Sequence, residues 1–266
     1  MPIASINGLN LYYERAGSGP PLLFISGTGG DLRNKPNQFD GPLPRSFDMA
    51  SYDQRGLGQS DKPDVPYAMA DYADDAAALM DHLGWADANV IGVSFGGMVA
   101  QELVLRHPQR VRRLVLACTS PGGAGGSSFP FHEIEHLKGV ARARYMIPIS
   151  DTRRDEAWAA ANPDQYAKLV ELASAEPFAD EPGHAAGAHR QLEARAAHDT
   201  WDRLPQVRCP VLVAAGRYDG IAPLDIQERL AARIPGARLQ VFEGGHLFMI
   251  QDRTATPAMA AFLLDG

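Results

Sequence analysis

A serine set between two glycines, Gly92-Val93-Ser94-Phe95-Gly96, carries the strongest chemical signal in this chain. It stands where an apolar, strand-like run at 89–93 meets a helical run that begins at Phe95. A strand-to-helix turn this tight leaves no room for side chains beside the serine, and Gly92 and Gly96 meet that demand. Gly97 adds space for close helix packing. The strained turn pushes the Ser94 hydroxyl outward, and the helix that follows points its N-terminal amides at the same spot.

Serine is a weak nucleophile at neutral pH and needs a base, a histidine whose tautomer is fixed by a carboxylate. Two later loops supply these types in the order serine, acid, histidine. Asp219 follows the apolar run 211–215, and His246 follows the run 238–242 on a glycine-loosened loop, Glu243-Gly244-Gly245. Alone, Asp219 reads better as an N-cap for the helix after Pro223, and His246 as a surface histidine. The ordered conjunction with Ser94 selects the catalytic reading. Glu243 is the runner-up acid, disfavoured because it is too near His246 in sequence. The other histidines fit less well: His82 and His107 sit at helix ends, and His132, His136, His184, His189 and His198 fall in one helical stretch. A developing oxyanion needs two backbone donors. The amide of Phe95, next to the nucleophile, is one candidate. The amide of Thr28, in the glycine loop 27–30 after an apolar run, is the other.

The elements that must position these groups alternate. Runs 3–6 and 9–14 flank Asn7-Gly8, a hairpin signal. Strand-like runs follow at 21–26, 47–52, 89–93, 113–118, 211–215 and 238–242, with helical patterns at 72–83, 95–106, 224–234 and 257–264. Alternation of this kind implies a mostly parallel sheet covered on both faces. Between 121 and 204 the alternation stops. A Gly/Ser-rich entry at 122–128 precedes Ala-rich helical segments at 155–161, 165–173 and 185–197. This reads as a helical cap over the C-terminal edge of the sheet, where ligands bind in open α/β folds. The alternative is a helical appendage with no part in substrate choice. As a cap, the insertion sets acyl-chain preference without touching the geometry of the catalytic groups. Phe129, Phe131, Tyr145, Trp158 and Tyr166 are its candidate pocket residues.

Composition narrows the function classes. The chain has 266 residues, 45% of them hydrophobic, enough for one large core with an insertion. The formal charge of −7 disfavours nucleic acid and acidic membranes as partners. The N-terminus has neither a basic region nor a long apolar stretch, so no signal peptide is expected. Cys118 and Cys209 are expected to be two buried thiols of a reducing cytosol, and no cluster has zinc spacing. These readings predict a cytoplasmic monomer or homodimer without metal or cofactor.

The elbow, the opening hairpin, the glycine loop after Ser26, the loop Asp53-Gln54-Arg55-Gly56-Leu57-Gly58-Gln59-Ser60, Asp219 and Gly245-His246 together resemble the α/β-hydrolase superfamily. The nearest look is the bacterial esterase, enol-lactonase and haloperoxidase-like (perhydrolase) group. The resemblance covers nearly the whole chain and is far more specific for superfamily than for subfamily. It implies an α/β-hydrolase fold: a mostly parallel sheet of about eight strands flanked by helices, with a helical cap insertion. The core is then 1–120 and 205–266, and the cap 121–204. It implies Ser94, Asp219 and His246 as a catalytic triad, with Asp53 and Arg55 structural, as an ion pair or a turn beside the elbow. Many members carry His-Gly where this chain has Ser26-Gly27, which leaves open how the oxyanion loop is supported. Relatives that dehalogenate or open epoxides carry aspartate at the elbow, and here it is serine. The expected activity is cofactor-free hydrolysis of a small or medium carboxylic ester or lactone. Enol-lactone or carbon–carbon bond hydrolysis on the same triad, or a hydrolase-fold receptor with little turnover, are the alternatives.

Overall fold

The computed structural model describes residues 2–265. Strands β1 (Ile3–Ile6) and β2 (Leu9–Ala16) form the expected hairpin, with Ile6 opposite Leu9. Asn7 and Gly8 both take positive φ, 49° and 76°, as a two-residue hairpin turn requires. Next come β3 (Pro21–Ile25), β4 (Asp48–Tyr52), α1 (Met69–His82), β5 (Ala88–Val93), α2 (Phe95–Arg106) and β6 (Val111–Ala117). Four helices follow without a strand: α3 (Gly139–Ser150), α4 (Glu156–Ala161), α5 (Pro163–Ser174) and α6 (His184–Ala196). The alternation then resumes with β7 (Val211–Gly216), α7 (Leu224–Arg233), β8 (Arg238–Phe242), α8 (Phe248–Gln251) and α9 (Ala255–Leu264).

The eight strands make one sheet in the order β1-β2-β4-β3-β5-β6-β7-β8. β1, β2 and β4 pair antiparallel, and every pair from β4 through β3 to β8 is parallel. Alternate side chains of the central strands feed two cores, as a period of two dictates. Leu23, Ile25, Val90, Leu114, Leu116 and Val213 pack with α1, α2 and α7. Leu22, Phe24, Ile91, Val115, Leu212 and Ala214 pack against α8 and α9 on the other face. Burial on both faces is why these strands read as continuous apolar runs rather than alternating ones.

The structure adds one helix and corrects two expectations. The α3 helix, with Pro148 in its last turn, is absent from the sequence reading because an interior proline argues against a helix. Both cysteines are free, but only Cys118 is buried; Cys209, just before β7, is half-buried. The expected link between Asp53 and Arg55 resolves into two separate devices. Asp53 closes a turn, accepting the Leu32 and Gln59 amides at 2.7 and 2.8 Å. Burial pushes the Asp53 carboxyl up to about 6, against the pull of those two amides. Arg55 instead grips Asp75 of α1 through two hydrogen bonds, 2.7 and 2.8 Å, in the protein interior.

Removing one partner of a buried pair strands the other charge. Asp75→Ala is therefore expected to lower the unfolding free energy by about 3–5 kcal/mol in urea titration. Asp225→Ala, which breaks the exposed i,i+4 pair with Arg229, is expected to cost about 0.5 kcal/mol or less.

Candidate active site

Strand order brings the sequence-distant groups together. β3 and β5 are neighbours, so the glycine loop after Ile25 lies beside the end of β5, where Ser94 stands. Ser94 takes φ 55° and ψ −115°, a conformation costly for a residue with a Cβ. Its amide donates to the Ala117 carbonyl at 2.8 Å, and its carbonyl accepts from Gly97 N (2.9 Å) and Thr119 Oγ1 (2.8 Å). A Cβ on Gly96 would lie 2.1 Å from the Ile25 carbonyl oxygen, and one on Gly92 would lie 2.4 Å from the Gly96 carbonyl oxygen. The helix start can approach β3 and β5 this closely only because both positions are glycine.

Asp219 and His246 sit on the loops after β7 and β8, at the same sheet edge. Asp219 Oδ1 accepts the Ile221 and Ala222 amides at 2.8 and 2.9 Å. These amides belong to the turn ahead of α7, so Asp219 orders that turn and does not cap the helix. Its Oδ2 is 2.9 Å from His246 Nδ1, and His246 Nε2 is 3.0 Å from Ser94 Oγ. The Asp219 side chain is fully covered, and that of His246 is 12% exposed. Glu243, the runner-up acid, is exposed and tied to Arg217 at 2.6 Å. Among the remaining histidines, His107 faces Asp74 and His189 faces Glu135, both away from this constellation.

The two candidate oxyanion donors lie on the segments next to Ser94. Phe95 opens α2, and its amide has no acceptor within the helix. Gly27, just before Thr28, approaches so closely that a Cβ there would lie 3.4 Å from Ser94 Cβ. Among the described residues neither the Thr28 nor the Phe95 amide has a protein acceptor. Support for the Ser26-Gly27 loop comes from three side chains. Gln54 Nε2 donates to the Ser26 carbonyl (2.8 Å), Gln191 Oε1 accepts the Gly29 amide (2.9 Å), and Arg195 Nη1 donates to Thr28 Oγ1 (3.2 Å). Gln191 and Arg195 lie on α6, one helical turn apart. Sequence reasoning missed both, although their i,i+4 spacing in an otherwise Ala-rich helix was a visible signal.

Residues 121–204 wall a cavity of about 550 Å³ together with the core. Thr28, Gly29 and Ile221 line it from the core side; Phe131, Met146 and Phe178 line it from the inserted segment. Of the five aromatic residues picked from sequence, Phe131 alone faces this cavity. Phe129 borders a smaller cleft, Tyr145 is 47% exposed, and Tyr166 packs between α3 and α5 beside Ala143 and Ile147. Trp158 lies under the Arg154 guanidinium instead. Phe178, stacked beneath Arg33, was missed.

The insertion is not separate from the loops that carry Asp219 and His246. At the end of α3 the Ile149 carbonyl accepts the Gly220 amide (3.0 Å), and the Ser150 carbonyl accepts the His246 amide (2.7 Å). Asp151 accepts Gln251 Nε2 at 3.1 Å, and Gln251 Oε1 accepts the Gly245 amide at 2.7 Å. The expectation that the insertion leaves these groups untouched is therefore revised: one of its helix ends is hydrogen-bonded to both loops.

Among the described residues no cluster of three or more His, Cys, Asp or Glu side chains is placed to hold a metal ion. No described helix is long and apolar enough to cross a membrane.

Comparison with known proteins agrees with this architecture. Residues 20–252 match the family model described as the alpha/beta hydrolase fold. A poly(3-hydroxyalkanoate) depolymerase of Ectopseudomonas oleovorans is 31% identical over 252 residues, covering 91% of this chain and 84% of the relative. A 2-hydroxymuconate semialdehyde hydrolase from a Pseudomonas species is 33% identical over 263 residues, covering 92% and 86%. The crystal structure of the enol-lactonase from Burkholderia xenovorans superposes with a TM-score of 0.81 at 28% identity, covering 99% of this chain and 100% of that one. With a family model spanning the sheet from β3 to the end of α8, the chain belongs to the alpha/beta hydrolase fold family.

Proposed function

We propose that this protein is a serine hydrolase that cleaves a small or medium carboxylic ester or lactone through an acyl-enzyme. The observation that carries the reading is the unbroken hydrogen-bond path from Asp219 Oδ2 through the His246 ring to Ser94 Oγ, 2.9 and 3.0 Å. With its Nδ1–H donated to Asp219, the His246 imidazole presents Nε2 as the acceptor for the Ser94 hydroxyl proton. Ser94 Oγ attacks the carbonyl carbon and the proton passes to Nε2. The carbonyl oxygen becomes an oxyanion facing the Thr28 and Phe95 amides. Collapse expels the alcohol, which takes the proton from His246. Water then repeats the sequence on the acyl-enzyme, releasing the acid and restoring Ser94.

Buried and already bonded to two backbone amides, Asp219 stays in place while the imidazole gains charge. Residues 121–204 act as the cap domain in this reading. They close a cavity whose volume suits a small molecule and whose walls mix apolar and charged groups. A second reading, hydrolysis of an enol-lactone or of a carbon–carbon bond on the same groups, is favoured by the named activities of the enol-lactonase and the semialdehyde hydrolase among the similar proteins. A panel of p-nitrophenyl esters, a lactone and a diketone separates the readings by which substrate turns over fastest. A receptor role predicts a single slow turnover on all of them.

Ser94→Ala is expected to fold and to lose roughly 10⁶-fold in kcat on the best panel substrate. Retention of most activity by the purified variant removes the serine-hydrolase reading. Asp219→Asn is expected to lose roughly 10⁴-fold, because asparagine favours the wrong imidazole tautomer, whereas Glu243→Gln changes the rate little. Equal losses, or a larger one at Glu243, reassign the acid. Phe131→Ala and Met146→Ala are expected to change the ranking of short against long acyl chains, each methylene carrying roughly 1–3 kcal/mol of discrimination. An unchanged ranking places specificity in the core loops instead.

A further inference from the structure

Arg195 is an unneutralised cation in the protein interior. It is 6% exposed. Its hydrogen bonds go only to neutral oxygens: Thr28 Oγ1 (3.2 Å), Ser128 Oγ (2.7 Å) and the Phe129 carbonyl (3.5 Å). Arg55, equally covered at 9%, shows the usual arrangement, with Asp75 clasped by its guanidinium. Buried charges are ordinarily paired in that way, because an unpaired one forfeits its hydration. Lack of a partner has a consequence for Arg195: burial pulls its guanidinium down to about 10, opposed only through space by Cys118 and Asp219. It is still a cation at pH 7. The ring of Phe131 lies 4.6 Å beneath it.

Arg195 borders a cleft of about 100 Å³, distinct from the larger cavity described above. That is about three water volumes at ~30 Å³ each, room for a carboxylate and a short stem. Ser120, Ser128, His132, His198 and Met98 share its walls. His198 is the second anomaly. It is 5% exposed; both ring nitrogens are sealed from solvent without a hydrogen bond of full geometry, and the Ser120 carbonyl lies close enough to act on the ring. Burial pushes its imidazole down to about 4, against the pull of the Ser120 backbone, so at neutral pH it is an uncharged part of the wall. Ser120 Oγ accepts the Ser128 amide at 3.0 Å, and Ser128 Oγ accepts Arg195, which leaves both hydroxyl protons free to donate. No carboxylate lines the cleft. Asp199, next to His198 in the chain, is exposed and accepts the Trp201 amide.

One guanidinium and two hydroxyls able to donate, with no carboxylate among the lining residues, match the needs of a carboxylate. The planar fork of an arginine suits the two oxygens of that group. We propose that this cleft is a carboxylate subsite. Through Met98, on the first turn after Ser94, and through the Arg195 bond to Thr28, it adjoins the reacting groups. The carboxylate has two possible sources: a pendant acid on the substrate, or a free acid such as ester hydrolysis releases. Only the first rests on the hydrolase reading of Ser94. Binding of a free acid stands or falls without it.

Acetate titration of the whole protein, followed by NMR chemical shifts or calorimetry, tests the subsite without turnover. Saturable binding is expected, weakened about tenfold or more in Arg195→Met, as loss of a hydrogen bond to a charged group implies. A smaller loss is expected in Ser128→Ala, which keeps the cation and serves if Arg195→Met does not fold. Kinetics on monomethyl succinate and methyl butyrate, which differ by a carboxylate in place of a methyl, then identify the source. A substrate-borne acid predicts that Arg195→Met raises KM about tenfold more for the half-ester than for methyl butyrate, on top of any change common to both esters from the Thr28 loop. A free acid predicts equal KM changes on the two esters and loss of inhibition by acetate. Absence of saturable acetate binding to the unaltered protein overturns the proposal. So does acetate affinity that is the same in both variants, with kcat falling equally on the two esters, which assigns Arg195 to holding the Thr28 loop.

Discussion

The close approach of α2 to the end of β3 is the constraint on which the site depends. Gly96 lets the helix start press against the Ile25 and Ser26 carbonyls, where a single methyl group would collide. That contact, with the Thr119 and Gly97 bonds to the Ser94 carbonyl, holds Ser94 at a positive φ that it would not adopt in a free chain. A backbone in such a region costs about 1–3 kcal/mol and persists only when its surroundings over-determine it. Here two adjoining parallel strands, a helix and the loop after β6 do so. The same packing brings Gly27 against Ser94, so Ser94 and the glycine loop are placed by one contact rather than by two independent ones.

The other half of the site is set by strand order. β7 and β8 end side by side, and their loops carry Asp219 and His246 to the edge where Ser94 opens. The inserted helices then bind what the sheet has gathered. α6 lays Gln191 and Arg195 on the glycine loop, while the end of α3 is tied to the loops of Asp219 and His246. Motion of the insertion therefore reaches both the Thr28 loop and His246. A substitution in it can act on the reaction as well as on the shape of the pocket.

Much of this was legible in the sequence, and the physical reasons are specific. The elbow, α2 and β7 were readable because a tight turn admits only glycine beside Ser94 and because buried parallel strands are continuous apolar runs. Asp219 follows such a run, and His246 follows the edge strand β8, whose alternating Arg-Leu-Gln-Val-Phe is mostly exposed, so their order along the chain was the readable signal. What was hidden depends on contacts between segments far apart in the chain. Arg55 pairs with Asp75 of α1 rather than with nearby Asp53, a choice no local spacing encodes. Most aromatic residues of 121–204 were assigned to the pocket by type, but Tyr145 points outward and Tyr166 fills the space between α3 and α5. The helix α3 was obscured by Pro148, which its last turn tolerates.

The most direct test of the account is chemical labelling of Ser94, the proposed nucleophile. A fluorophosphonate reacts only with a serine whose hydroxyl is activated by a base and whose phosphoryl oxygen can enter a set of oxyanion donors. Peptide mapping by mass spectrometry after labelling is predicted to find one adduct, on Ser94, and none in protein carrying His246→Ala. An intact Ser94 in folded protein after prolonged exposure, or an adduct on another serine, contradicts the central claim.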